Sequence, residues 1–405
     1  QASGPADAPL CRPAPQARPV RRIDLDNNAT ASVADEVREA MLPFLGEAWG
    51  NPSSLHARGR DARVAIEDAR RRVARLVNAR PRRMVFTGGG SEADNLAIKG
   101  VAFAARPRGT HLITSTIEHP AILQSCRFCE RNGFDVTYLP VDADGLVDPA
   151  DLDGALRAGT TLVSIQLANN EVGTIQRVKA LAAIAHAHGA LFHTDAVQAV
   201  GRIPVDVEDL GVDLLTLAAH KFRGPKGVGA LFTRAGVTLE PLIHGGSQEG
   251  GQRAGTENVA GIVGMGHAAG LALQSVQAGP DVARLRDELE RAVRALVPAA
   301  RVNGHGEWRL PNTLNMTLPG LRGESVVVAL DQHGVSLSSG SACRAGSPEP
   351  THVLLAMGRT REEAHCSVRF SLSSRTTADD VAQTAAALAH VLREMETTVR
   401  FLPCK

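Results

Sequence analysis

The lysines are the shortest list of groups that could do covalent chemistry here. Of 44 basic residues, five are lysines: Lys99, Lys179, Lys221, Lys226 and Lys405. A chain that uses arginine by default keeps lysine by chance or where the amine itself is needed. A guanidinium stays protonated in proteins, whereas a lysine amine can deprotonate and form a Schiff base with a carbonyl. Lys99 and Lys179 fall on helical patterns, and Lys405 is terminal. Lys221 follows His220 in "AAHKFRGPKGVG", where an apolar run ends, and Lys226 lies in the turn into the next run. A second candidate is Cys343, in "SSGSACRAGSPEP". A reactive thiol needs exposure and nearby positive charge, which the small neighbours and Arg344 would supply. An ordinary loop cysteine is the bland alternative.

Two more stretches carry polar groups at the ends of apolar runs. "TGGGSEADN", Thr87 to Asn95, follows one run and opens a helical pattern. Free backbone N–H groups and the helix dipole suit a phosphate there, with Ser91 adding a hydroxyl. The pattern matches neither the dinucleotide nor the Walker fingerprint, so a nucleotide is not implied. "FHTDAVQ" ends another run with Asp195 and places Gln198 three residues on. In isolation, Asp195 reads equally well as a helix cap. A phosphate grip, a strand-end carboxylate and a strand-end lysine together point to pyridoxal 5'-phosphate (PLP). That cofactor needs a Schiff-base amine, a carboxylate on its pyridinium nitrogen and a phosphate cup.

The elements that must position these residues follow from the hydrophobic pattern. From Met84 onward, "MVFT", "HLITS", "TLVSIQLA", "ALFHTD", "DLLTLAA" and "GVGALFTR" alternate with helical stretches. This alternation predicts βαβ units and a mainly parallel sheet, with ligands at the carboxyl ends of its strands. "NTLNMTL", "ESVVVALDQHG", "VSLSS", "SVRFSL" and a helix from about Thr377 predict a smaller α/β unit. The stretch from Asn258 to Gly279 carries no formal charge. Its glycines, His267, Gln274 and Gln277 favour a buried helix between domains over a membrane span.

Composition narrows the function classes. With 405 residues, 43% of them hydrophobic and 21% charged, the chain reads as a globular protein of two to three domains. A net charge of +1 and 3% aromatic content argue against direct nucleic-acid binding. Six cysteines do not make a disulfide framework in a chain of this size. Cys126 and Cys129 in "CRFC" lack a second pair and read as half-buried helix residues. No metal site is predicted. Residues 1–22 hold five prolines and no apolar core of a signal peptide, and read as a disordered arm.

On these residues the chain resembles the cysteine desulfurases of the NifS/IscS type, in the class V aminotransferase superfamily of PLP fold type I. "LDNNAT", "GNPSS", "GGGSEADNLAIKG", "EHPAI", "NNEVGT", "HTDAVQAVG", "AHKFRGPKGVGAL", "RAGTEN", "SSGSAC" and "VRFSL" occur in family order between Ile23 and Met395. The resemblance implies an α/β fold with a large, mainly parallel-sheet PLP domain over 23–265. A smaller α/β domain over 266–405 would carry the cysteine loop, with the N-terminal segment contributing to it. It also implies conversion of L-cysteine to L-alanine, with sulfur carried as a persulfide on Cys343 to an acceptor protein, a scaffold or carrier. The pathway would be iron–sulfur cluster assembly or thiolation of a cofactor, tRNA or metabolite, in a cytoplasmic homodimer.

Residue roles implied by the resemblance are specific. Lys221 would form the Schiff base, Asp195 would pair with the ring nitrogen, and Gln198 would bond the phenolic oxygen. His119 would stack on the ring and move protons. Gly90, Ser91 and His220 would hold the phosphate, with Thr256 from the neighbouring subunit. Asn170 and Arg369 would hold the substrate carboxylate, a task suited to a planar guanidinium. His119 as a helix cap, Gln198 as a solvated side chain and Arg369 as a surface ion pair are the bland alternatives. Two departures stand out. Ala218 occupies a position where many relatives have serine, and the tail with which some relatives hold a scaffold is missing after "FLPCK". A selenocysteine lyase, which "EAWGNPSS" and "DVEDLGVD" also resemble, is the near rival. A non-catalytic binding module on this fold is disfavoured, because Lys221, Asp195, His119 and Cys343 occur together.

Overall fold

The computed structural model describes residues 22–339 and 349–400, with side chains up to residue 395. Most of the proposed arm, Cys343 with Arg344, Cys404 and Lys405 lie outside the described residues. The strands are β1 (Ile23–Asp24), β2 (Met84–Thr87), β3 (His111–Ser115), β4 (Asp135–Leu139), β5 (Thr160–Ser164) and β6 (Leu191–Asp195). They continue with β7 (Leu214–Ala218), β8 (Gly229–Thr233), β9 (Arg301–Asn303), β10 (Thr313–Thr317), β11 (Val335–Ser336) and β12 (Ser367–Ser371).

Seven of these make one sheet in the order β2-β8-β7-β6-β5-β3-β4. Only β8 runs against its neighbours, so the other six present their carboxyl ends at one edge. β2, β3, β5, β7 and β8 are buried along their whole length. Helices cover both faces, as continuous apolar strands require. The sequence pattern finds all of them except β4, "DVTYL", an edge strand whose first four residues are exposed or half-buried. With little apolar burial it carries no strong alternation. The expected strand "TLVSIQLA" ends early, at Ser164. From there the chain turns across the strand edge, which is what places Asn170 in the site.

A second sheet, β12-β10-β9, is antiparallel, and a parallel pair β1-β11 lies with it. Leu314, Met316, Val368 and Phe370 form its core with Ile23 and Leu25 from the start of the described chain. The uncharged helix Val259–Gln277 is the one described helix long and apolar enough to cross a membrane by length and composition. Ten of its residues are buried inside the fold. A Cβ at Gly266 would come within 2.6 Å of the Ala69 Cα, so only glycine lets this helix approach Ala57–Leu76 so closely. Cys126 and Cys129 are fully buried in the helix Pro120–Arg131, deeper than expected. Burial raises both thiols, Cys129 to about 11, so neither is a nucleophile at neutral pH.

Candidate active site

The carboxyl edge of the large sheet opens into a cavity of about 630 Å³. That size falls in the range of small-molecule sites, roughly 300–1,000 Å³. Gly90, Ser91, His119, Asn170, Asp195, Gln198, His220, Lys221 and Arg369 all line it. Nine of the eleven residues singled out in the sequence therefore converge. Cys343 lies outside the described residues. Thr256 is exposed on the segment before the uncharged helix and does not line the cavity.

Most of these residues reach the cavity from the ends of strands in the large sheet. After β2 the chain passes through Gly88 and Gly89 and enters the helix Gly90–Ala105. Gly89 adopts φ 152°, which favours glycine. A Cβ on Gly90 would sit 3.1 Å from Val197 Cγ2 and 3.2 Å from Ala218 Cβ, so glycine keeps this corner open. The Gly88 N–H donates to Glu92 Oε2, and Arg253 holds the same carboxylate. After β3, His119 caps the helix Pro120–Arg131, its Nδ1 accepting from the Ala121 N–H. The bland reading of His119 is thus correct and incomplete, since the capping imidazole also faces the cavity. Burial, reinforced by Lys221 and His352, lowers its pKa to about 4. His119 is neutral at physiological pH, with its proton on Nε2.

Asp195 ends β6 and is 8% exposed. One carboxylate oxygen accepts from the Val197 N–H at 2.8 Å, so it also does the turn-capping work expected of a strand-end aspartate. Burial raises its pKa, and the Val197 N–H and the Lys221 charge pull it back down. Gln198 is buried, not solvated, and its amide is locked. Its Nε2 donates to the Asn28 carbonyl, and its Oε1 accepts from Arg202 Nη1 at 2.6 Å. His220 and Lys221 form a short turn directly after β7. His220 Nδ1 lies 3.2 Å from Thr30 Oγ1, and burial with the Lys221 charge lowers its pKa to about 4.

The lysines are now sorted by structure. Lys221 Nζ donates to the carbonyls of Asn28 at 2.6 Å and Ala29 at 2.8 Å inside the cavity wall. Lys226 also lines the cavity but is exposed. Lys99 sits 4.3 Å over the Phe128 ring, and Lys179 pairs with Asp209 on the surface.

Arg369 comes from the second sheet. It is 1% exposed, so the surface ion-pair reading fails. Its Nη2 bonds Asp26 Oδ1 at 2.6 Å, and its Nη1 donates to the Asn170 carbonyl. Among the described residues its Nε is buried without a hydrogen-bond partner. A buried guanidinium N–H is costly to leave without an acceptor.

Sequence reasoning missed several residues that build this wall. Asn28 accepts from Lys221 and Gln198 through its carbonyl, while its side chain bonds Thr313, Asn312 and the Asn170 carbonyl. Arg202, with Gln198 and the Asn27 carbonyl as partners, has its pKa lowered to about 9 by burial. Asp94 and Glu118 are buried carboxylates beside Asp195. Burial, then repulsion from Asp195, holds Asp94 well above the usual carboxylate range. Glu118 is pushed up to about 8 by burial, although Ser115 and the Gln166 N–H donate to it. "LDNNAT" and "SEADN" contained Asn28 and Asp94, but their partners lie far along the chain.

Comparison with known proteins agrees with this arrangement. The family described as aminotransferase class-V matches residues 23–384. The cysteine desulfurase IscS of Dictyoglomus turgidum is 50% identical over 378 residues, covering 93% of this chain and 96% of that protein. The cysteine desulfurase IscS of Methanosarcina thermophila is 45% identical over 95% of each chain. A solved NifS-like protein superimposes with a TM-score of 0.87 at 38% identity, over 92% of this chain and 100% of that one. The chain belongs to the aminotransferase class-V family.

Proposed function

We infer that this protein is a PLP-dependent cysteine desulfurase. The observation that carries the reading is one cavity lined by a strand-end lysine, a buried strand-end aspartate and a buried arginine. The donor set fits PLP. Asp195 offers a desolvated carboxylate to a protonated ring nitrogen, and the glycine helix start at Gly90 leaves room for a phosphate. Ser91 and His220 complete the phosphate grip, and Thr256 would join from a second copy in a homodimer. When bound, PLP supplies an electron sink for negative charge developing at the substrate α-carbon.

The residues then take defined tasks. Lys221 provides the amine that holds the cofactor's aldehyde and is the base nearest the substrate. Asp195 keeps the ring nitrogen protonated. Gln198, fixed by Arg202, can donate to the phenolic oxygen once it leaves the Asn28 carbonyl. Against a bound cofactor ring, His119 would sit as a neutral imidazole able to pass a proton at Nε2 without adding charge. Arg369 Nε, with Asn170, takes the carboxylate of L-cysteine.

Cys343 accepts the sulfur. Its thiolate attacks the substrate sulfur, an S–S bond forms as the C–S bond breaks, and the pair left on carbon is protonated to give alanine. Ser338 exchanges backbone hydrogen bonds with Arg369, so the chain enters the Cys343 segment beside the carboxylate site. A sulfur-acceptor protein would then receive the persulfide. The large and small domains are proposed to divide near residue 265. A reducing cytoplasm suits the three buried free thiols Cys126, Cys129 and Cys366.

Lys221→Ala should lose the visible cofactor band and the release of alanine and sulfide from L-cysteine, whereas Lys226→Ala should keep both. The reverse pattern would move the cofactor amine to Lys226. A protein that PLP cannot load would overturn the enzyme reading.

A further inference from the structure

Away from the cavity, the described residues hold one group of three metal-ligating side chains: His333, His390 and Glu394. His333 caps the helix Gly323–Gln332, just before β11. His390 and Glu394 are four apart on the helix Ala378–Arg400, so they share one face. His390 Nε2 is 3.1 Å from Glu394 Oε1, and His333 Nε2 is 4.0 Å from Glu394 Oε2. The imidazoles meet edge-on, with centroids 4.9 Å apart and an interplanar angle of 78°. One candidate donor atom from each side chain lies within 4.8 Å of the others, and all three residues are exposed.

We propose that His333, His390 and Glu394 bind one borderline divalent cation, with zinc the best match, and that the ion ties the turn before β11 to the C-terminal helix. Two imidazoles and one carboxylate are the donor set of open, three-ligand zinc sites, with water in the fourth position. Magnesium and calcium prefer all-oxygen shells and are poor matches. Tetrahedral zinc with bonds of about 2.0–2.1 Å holds its donors ~3.3 Å apart. The His390–Glu394 pair is already at that spacing. The remaining pairs need to close by at most ~1.5 Å on the same geometry, which rotation of exposed side chains allows. An i,i+4 His–Glu pair alone would be an ordinary surface ion pair of little worth. His333, arriving from a separate element, turns the pair into a clamp. From β11 the chain runs to Ser338, which is backbone-paired with Arg369, so the clamp braces the near root of the Cys343 segment. The site shares no residue with the cavity and does not depend on the cofactor reading.

The test uses the full PLP-loaded chain after iodoacetamide treatment, which removes competing exposed thiols. Zinc chloride is titrated calorimetrically, and cobalt chloride is followed by visible absorption. One equivalent of zinc should bind in the micromolar range, and cobalt should show the intense bands of four-coordination. His333→Ala and His390→Ala should each weaken zinc at least tenfold, about 1.4 kcal/mol. Glu394→Gln should weaken it in the same direction. Circular dichroism of the metal-free variants checks that these exposed substitutions leave the fold intact. Failure to bind one equivalent, unchanged binding in both histidine variants, or displacement of zinc by equimolar magnesium would each overturn the proposal.

Discussion

Glu118 offers a quantitative test of how the floor of the cavity is built. The side chain is fully buried, accepts from Ser115 and the Gln166 N–H, and has its pKa raised from 4.5 to about 8 by desolvation. Between those values the folded chain holds a proton that the unfolded chain releases. Stability from this group is therefore fully present below pH 4.5 and is lost as pH rises through 8. The slope is about 1.4 kcal/mol per pH unit, and the whole window corresponds to roughly 4–5 kcal/mol. Histidines act the other way. His111, His119 and His220 have pKa values lowered to about 4, and His193 to about 3, all chiefly by burial. The unfolded chain binds more protons at these sites below pH 6.5, so their contribution grows with pH up to that point. From there to pH 8 the raised carboxylates dominate. The cofactor-free protein should therefore be most stable near pH 6.5 and lose stability toward pH 8.

Glu118→Gln isolates one contribution, because the amide oxygen can still accept from Ser115 and Gln166. Urea unfolding of cofactor-free wild type and variant at pH 5, 6, 7, 8 and 9 avoids added linkage from bound PLP. The stability difference, variant minus wild type, should grow by about 1.4 kcal/mol per pH unit up to pH 8 and then level off. Parallel profiles across the range would refute the claim that Glu118 is protonated in the fold.

Three further substitutions separate the proposed roles. Asp195→Ala should fold and retain some PLP, but release alanine from L-cysteine on the order of a hundredfold to a thousandfold more slowly; near-normal turnover when PLP-replete would remove Asp195 from the site. Arg369→Lys keeps the charge but loses the Nε–H and the planar fork, so KM for L-cysteine should rise roughly 10- to 100-fold while kcat falls less; an unchanged KM would place the substrate carboxylate elsewhere. Cys343→Ala should abolish sulfide release from L-cysteine with dithiothreitol present, yet retain selenide release from L-selenocysteine, whose selenium can leave without being attacked. Undiminished sulfide production by that variant would end the persulfide mechanism, and a wild type active only on L-selenocysteine would replace the desulfurase reading with the lyase.

What the sequence made legible, and what it hid, has a physical pattern. The fully buried strands and the residues that end them were readable, because a buried strand is a short apolar run and its end is marked by polar residues. Asp195, His220 and Lys221 are all of this kind. The edge strand β4 was hidden because half-exposed residues carry little periodicity. Asn28 and Arg202 were hidden because their importance lies in hydrogen bonds to residues distant in the chain, such as Thr313 and Asn27. His333 and His390 escaped notice for the same reason, since nothing local distinguishes a metal donor from a solvated histidine.

Those distant contacts explain why the site needs both sheets. Beside Asp195, whose carboxyl feels its charge, the Lys221 amine donates to the carbonyls of Asn28 and Ala29. The segment carrying them is itself held by the second sheet: the Asn28 N–H donates to Ser371 Oγ, and Asp26 pairs with Arg369. Arg369 thereby does two things at once. Its Nη2 fixes the segment that positions Lys221, and its side chain borders the cavity that Lys221 lines. A substrate carboxylate seated on that side chain would be registered against the lysine by a chain of four residues, Arg369, Asp26, Asn28 and Lys221. Ser338, on the strand edge beside Arg369, leads to Cys343. The lysine, the proposed carboxylate site and the chain leading to Cys343 are thus referenced to one buried guanidinium, which is how a two-sheet fold can align groups far apart in sequence.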